Sequence, residues 1–120
     1  MAARDHCADA GSKGLFGHLS SDGNQLPHRT KRYGAIKGLQ AENIVFGTKL
    51  PTEIILDMLV DDGDLKRSRR TILFDKRYEK TGISMCKHKR LKIMATIVYS
   101  QDFKYGPVTL AKIATEKLIK

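Results

Sequence analysis

The clearest hydrophobic periodicity lies in residues 51–60. There Ile54, Ile55, Met58 and Leu59 fall at i, i+1, i+4 and i+5, the stripe of a helix with one face on a core. Lys49-Leu50-Pro51-Thr52-Glu53 supplies a proline-led start with an acid in the first turn. Asp61-Asp62-Gly63-Asp64 ends the element. Acids at that end oppose the helix dipole, so they are expected to have a task or a basic partner. A period of two replaces the helical one further on. In residues 91–99, Ile93, Ala95, Ile97 and Tyr99 alternate with Lys92, Met94, Thr96 and Val98, which predicts a strand with one face the more apolar. Residues 82–86 read as its hairpin partner across the polar link Lys87-His88-Lys89-Arg90.

The remaining pattern is shorter. Residues 2–10, rich in Ala, Arg and Asp, predict a helix, and Gly11, Gly14 and Gly17 are expected to break regular structure after it. Residues 14–24 read as loop with a turn at Asp22-Gly23. Pro27 starts a short helix to about Tyr33, stopped by Gly34. Asn43-Ile44-Val45-Phe46 is a brief apolar run before Gly47, and residues 108–119 predict an amphipathic helix after Gly106-Pro107. Helices, loops and a late hairpin fit an α+β arrangement better than a doubly wound sheet.

Composition narrows the class. The chain has 120 residues, 41% of them hydrophobic. That length suits one small domain burying about two thirds of its unfolded surface, and the composition argues against disorder. No stretch approaches the ~20 apolar residues of a membrane helix. Residues 1–7 hold no apolar run of the kind a secretory signal needs. Two cysteines exclude a disulfide-dense scaffold.

Charge changes the picture once it is located. The formal net charge is +9, which invites a nucleic-acid reading. Residues 66–92 carry eleven basic and two acidic side chains, and the rest of the chain carries eleven of each. The excess is therefore a property of one segment. The basic patch comprises Lys66, Arg67, Arg69, Arg70, Lys87, Lys89, Arg90 and Lys92. Lys66-Arg67-Ser68-Arg69-Arg70 reads as a solvated basic loop, since Phe74 and Tyr78 are its only nearby aromatics and no recognition motif surrounds it. Nucleic acid is disfavoured as a partner. The alternative kept beside the main reading is a basic intracellular protein that binds nucleic acid or an anionic membrane through residues 66–92.

Candidate chemistry is sparse. His6, His18, His28 and His88 form no H-x-x-x-H pair, and there is no C-x-x-C. No serine sits in a G-x-S-x-G turn, and neither Cys7 nor Cys86 has a catalytic neighbourhood. His18 stands out in a glycine-flanked loop, where placement rather than helix packing fixes it. Glu42 enters an apolar run, where a buried carboxylate needs a partner. Either it is capped or salt-bridged locally, or His18 and Glu42 meet in a cleft.

The order of these pieces is informative. Ala3-x-x-His6 precedes Gly17-His18, Ser21-Asp22-Gly23 and Pro27-x-Arg29. Glu42-Asn43-Ile44, a helix, Ser68-Arg69-Arg70-Thr71-Ile72-Leu73 and Tyr78-x-x-x-Gly82-Ile83 follow. From about Ala3 to Phe103 the chain resembles the CAP superfamily, the group of cysteine-rich secretory proteins, antigen 5 and pathogenesis-related proteins, and within it the SCP-like branch. The resemblance implies a three-layer α-β-α sandwich with a central antiparallel sheet in residues 1–103, and a C-terminal tail in 104–120, possible as a helix. It implies a further helix before A-x-x-H, which this chain is expected to lack. It also implies an extracellular, non-enzymatic domain that binds a lipid, a sterol or a protein partner.

Residue by residue, the resemblance places His18 and Glu42 in a cleft as metal-site remnants. Asp61, or its neighbour Asp62, falls at the second acid. Arg69 falls where the second histidine belongs. Arginine only donates and cannot ligate a metal, so Arg69 is expected to pair with Glu42 or Asp61 in the metal's place. Zinc, the cofactor implied for some members, is disfavoured for that reason. A metal-dependent hydrolase using His18 and Glu42 is disfavoured with it. For a secreted chain Cys7 and Cys86 could pair, and two free, buried thiols stand as the equal alternative.

Overall fold

The computed structural model describes residues 1–47 and 50–119. Lys49, part of the predicted helix start, lies outside them. The elements in chain order are α1 (Ala2–Lys13), α2 (Leu26–Lys31), β1 (Gly34–Phe46), α3 (Pro51–Val60), α4 (Ser68–Phe74), β2 (Lys80–His88), β3 (Lys92–Tyr105) and α5 (Pro107–Ile119). The three strands form one antiparallel sheet in the order β1-β3-β2. The fold is thus α+β.

β3 is the middle strand, and its residues 94–100 are buried throughout. Alternation predicted one favoured face; instead both faces are covered. Ala95, Ile97 and Tyr99 pack with Val45, Ile54 and Met58. Met94 packs with Cys7, Ala10 and Ile44, and Val98 with Ala3 and Leu26. A strand buried on both sides tolerates apolar residues at every position, which blurs its period of two.

β1 is far longer than the apolar run at 43–46. It starts at Gly34 and pairs with β3 from Tyr105 down to Met94. Lys37, Gly38, Gln40, Glu42 and Asn43 concealed it, because an edge strand keeps polar side chains towards solvent and towards a site. The ladder slips between Lys37 and Gln40. There Gly38 adopts φ +87°, and a Cβ on it would sit 2.2 Å from Gln101 Oε1. The same oxygen accepts the Leu39 N–H at 3.1 Å, so Gln101 fills the bulge.

α1 runs through Gly11 rather than stopping there. Its end comes at Gly14, in the left-handed region, whose N–H bonds back to the carbonyls of Ala10 and Gly11. Gly11 is needed for approach: a Cβ on it would lie 2.4 Å from the Lys87 carbonyl oxygen on β2. Ala3, His6, Cys7 and Ala10 form the buried stripe. Cys7 and Cys86 are joined in a disulfide, with 5.9 Å between their Cα atoms, which ties α1 to β2.

α3 buries Ile54 and Met58 only; Ile55 is exposed, so its core stripe is narrower than its four apolar positions suggested. Lys66 to Arg70 is not a solvated loop throughout. Ser68 opens α4, and the Asp64 carboxylate accepts the N–H groups of Lys66 and Ser68 at 2.9 Å each. β3 continues through Tyr105 before α5 begins.

Candidate functional site

Four elements meet around a cleft of about 410 Å³, lined among others by His18, Glu42, Asn43, Asp64, Ser68 and Arg69. The loop after α1 brings His18. His6, wholly buried on α1, donates from Nε2 to the Gly17 carbonyl at 2.9 Å and so fixes the residue before it. Burial pulls the His6 pKa below the usual histidine value, although the Gly17 carbonyl opposes this. β1 brings Glu42 and Asn43. The Asn43 Nδ2 donates to the Arg69 carbonyl at 3.2 Å and to the Tyr99 hydroxyl at 3.3 Å, locking β1 to α4.

His18 and Glu42 do meet. The His18 Nδ1–H donates to Glu42 Oε1 at 2.9 Å, with the imidazole 60% exposed and the carboxylate 2%. A carboxylate only accepts, so Nδ1 carries the proton and Nε2 is left for the open side.

The second partner of Glu42 is Arg29 on α2, which the residue pattern did not single out for the site. Its Nη1 donates to Glu42 Oε2 at 2.9 Å and its Nη2 to Oε1 at 3.1 Å. Nη2 also donates to the His18 carbonyl at 3.0 Å. Both side chains are almost fully buried. Burial lowers the Arg29 pKa against the pull of Glu42, yet a guanidinium stays charged in a protein. The only advance signal was Pro27-x-Arg29 itself, a cation on a short helix beside a stretch that had to bury a carboxylate.

Arg69 pairs with Asp61, not Glu42. Its Nε donates to Asp61 Oδ1 at 2.8 Å, and the backbone N–H groups of Arg69 and Arg70 donate to Oδ2 at 2.9 and 3.2 Å. Burial works against the Asp61 carboxylate, but these donors hold its pKa below the usual carboxylate value. Asp61, with no exposed surface, stands behind Arg69 and caps α4, while Asp62 is exposed. Asp64 lines the cleft instead. This is the task of the acids at the end of α3.

The donor set does not fit a metal. Both oxygens of Glu42 accept from Arg29, a buried cation that would repel a second one, and Asp61 is saturated by α4. Among the described residues no group of three or more His, Cys, Asp and Glu side chains is placed to hold an ion.

The basic patch divides. Arg67 donates from Nη1 to the Val60 carbonyl at 2.7 Å, and Arg70 bonds the carbonyls of Leu59 and Val60. Arg67 and Arg70 thus bond the negative end of α3, Arg67 from an exposed position, while Arg69 bonds Asp61. Lys66 is exposed beside them, whereas Lys87, Lys89, Arg90 and Lys92 belong to the β2–β3 hairpin. No helix among the described residues is long and apolar enough to cross a membrane.

No family model matches the sequence, and no curated protein matches it. The fold is similar to that of an outer surface protein from Borrelia burgdorferi. The TM-score is 0.68 at 16% sequence identity, over 83% of this chain and 70% of that one. A likeness at that identity is one of fold.

Proposed function

We propose that the chain is a CAP-like, SCP-type binding domain, a three-layer α-β-α sandwich without catalysis. Its cleft has exchanged a metal for arginine and serves a lipid, sterol or protein partner. The observation that carries this reading is the double occupation of Glu42 by Arg29 and His18. It accounts for a retained His–Glu pair and leaves no free carboxylate oxygen for an ion. The cleft volume is within the range of small-ligand sites. An extracellular setting is supported by the Cys7–Cys86 disulfide, since such bonds persist in oxidising compartments. The similarity in fold to an outer surface protein favours the same setting.

Zinc calorimetry tests the reading. The purified protein is expected to give no stoichiometric heat. Tight one-to-one zinc binding that disappears in His18→Ala would sink it. Lipid extraction followed by mass spectrometry then tests the lipid and sterol readings: a co-purifying lipid lost on Arg69→Ala assigns the cleft to lipid.

A further inference from the structure

We infer that the tip of the β2–β3 hairpin, with the Phe16 loop packed on it, is a docking surface for an anionic lipid membrane. Between Glu79 and Asp102 the chain has no acidic residue, while it has Lys80, Lys87, Lys89, Arg90 and Lys92. Among the described residues no carboxylate pairs with any of the last four. This sets them apart from Arg67, Arg69 and Arg70, whose guanidinium groups bond carbonyls or a carboxylate at the end of α3. Four cations without a carboxylate partner among the described residues therefore share one end of the sheet.

That end is rigid. His88 is buried, and its Nε2–H donates to the Leu15 carbonyl at 2.9 Å. Its Nδ1 accepts the N–H groups of Arg90 and Leu91 at 3.2 and 3.0 Å. One imidazole thus fastens the loop to the tip. Two large apolar side chains project among the cations: Phe16 is 52% exposed and Leu91 39%. Phe16 packs against His88, ring centroids 5.4 Å apart, and the Arg90 guanidinium lies 5.9 Å from its centroid.

Cations ringing exposed apolar groups match a membrane interface, where lysine and arginine meet headgroups and the apolar groups enter the acyl boundary. A soluble polyanion would use the cations alone. Base stacking is a poor fit to Leu91, which offers no ring, whereas an apolar interface takes Phe16 and Leu91 alike. The surface borders the cleft, because Phe16 packs on Phe46, which lines it, but its cations lie on the hairpin and not among the cleft residues.

Cosedimentation of the full chain with vesicles tests the inference. Vesicles of phosphatidylcholine with phosphatidylserine should bind at least about tenfold better than phosphatidylcholine alone, and added salt should weaken the binding. The Lys89→Glu/Lys92→Glu variant should lose about tenfold or more, since each cation near the surface contributes about fivefold. Phe16→Ser/Leu91→Ser should also lose about tenfold, and Lys66→Glu should be unchanged. If the charge-reversed protein melts abnormally, Lys89→Gln/Lys92→Gln replaces it, with a smaller loss expected. Equal binding to neutral vesicles, or no loss from the lysine variants, overturns the inference. So does undiminished binding of Phe16→Ser/Leu91→Ser together with equal affinity for dextran sulfate, which would assign the surface to a soluble polyanion.

Discussion

Arg29 and Glu42 form a fully buried, two-pronged ion pair, 2.9 and 3.1 Å long, between α2 and the middle of β1. Charges taken out of water are costly, and only close, well-aligned partners offset that cost. The pair is completed by two further bonds, His18 Nδ1 to the carboxylate and Arg29 Nη2 to the His18 carbonyl. A loop, a short helix and an edge strand are thereby held by one carboxylate.

Removing one member should therefore cost far more than removing both. Arg29→Met leaves Glu42 buried with only a half-exposed imidazole beside it, and the expected loss is about 3–5 kcal/mol. Arg29→Met/Glu42→Leu should lose much less than the sum of its single variants. Urea unfolding of the three proteins measures this. Additive losses would mean that the pair is not energetically coupled.

His6 predicts a pH dependence near neutrality. Its folded pKa is lowered, chiefly by burial, so the unfolded chain takes up a proton first as the pH falls. Stability is then fully present above the unfolded value of about 6.5 and declines as the pH drops through it towards the lower folded value. His6→Gln can still donate to the Gly17 carbonyl but does not titrate. The difference between wild-type and variant unfolding free energies should slope between about pH 7 and pH 5. A flat difference would show that His6 titrates alike in both states.

The disulfide closes a long stretch of chain, Cys7 and Cys86 being 79 residues apart. In the chain-entropy account such a loop contributes about 4 kcal/mol by restricting the unfolded state. A domain of 120 residues has little reserve to absorb that loss. Thermal melts with and without reductant, and of Cys7→Ala/Cys86→Ala, are expected to show a large fall in midpoint. The variant should not respond to reductant.

Much of this fold is legible in local sequence. Pro51 and the 54/58 spacing give α3, and the alternation from Ile93 gives β3. Gly106-Pro107 gives the start of α5, and the Lys87–Arg90 link gives the hairpin. What is hidden depends on partners distant in sequence. β1 carries Glu42 and Asn43, polar residues that only make sense once α2 supplies Arg29 and α4 supplies a carbonyl. α4 reads as a basic loop because its cap, Asp61, belongs to the end of another helix. Glu42 reads in sequence as a carboxylate needing a partner, with His18 as one of two alternatives, and the structure joins them. Their third member is not legible in this way, since Arg29 on a six-residue helix has no periodic signal of its own.

Gly11 shows the same dependence on a distant partner, and it sets two effects against each other. In an isolated helix Gly11→Ala would stabilise by about 1 kcal/mol, because alanine restricts the unfolded backbone. Here the new methyl would stand 2.4 Å from the Lys87 carbonyl oxygen and 3.1 Å from the Cys86 sulfur. The obstacle is strand backbone held in the sheet and a sulfur held in the disulfide, so neither can turn aside as a flexible side chain would. α1 must move away from β2, straining the Lys89 N–H bond to the Gly11 carbonyl, now 2.9 Å. Forcing a methyl into a packed contact costs about 1–3 kcal/mol, so overpacking outweighs propensity. Gly11→Ala should lower the melting midpoint while a peptide of residues 2–13 carrying it becomes more helical by circular dichroism. A variant as stable as the wild type would mean that α1 does not sit as close to β2 as its glycine allows.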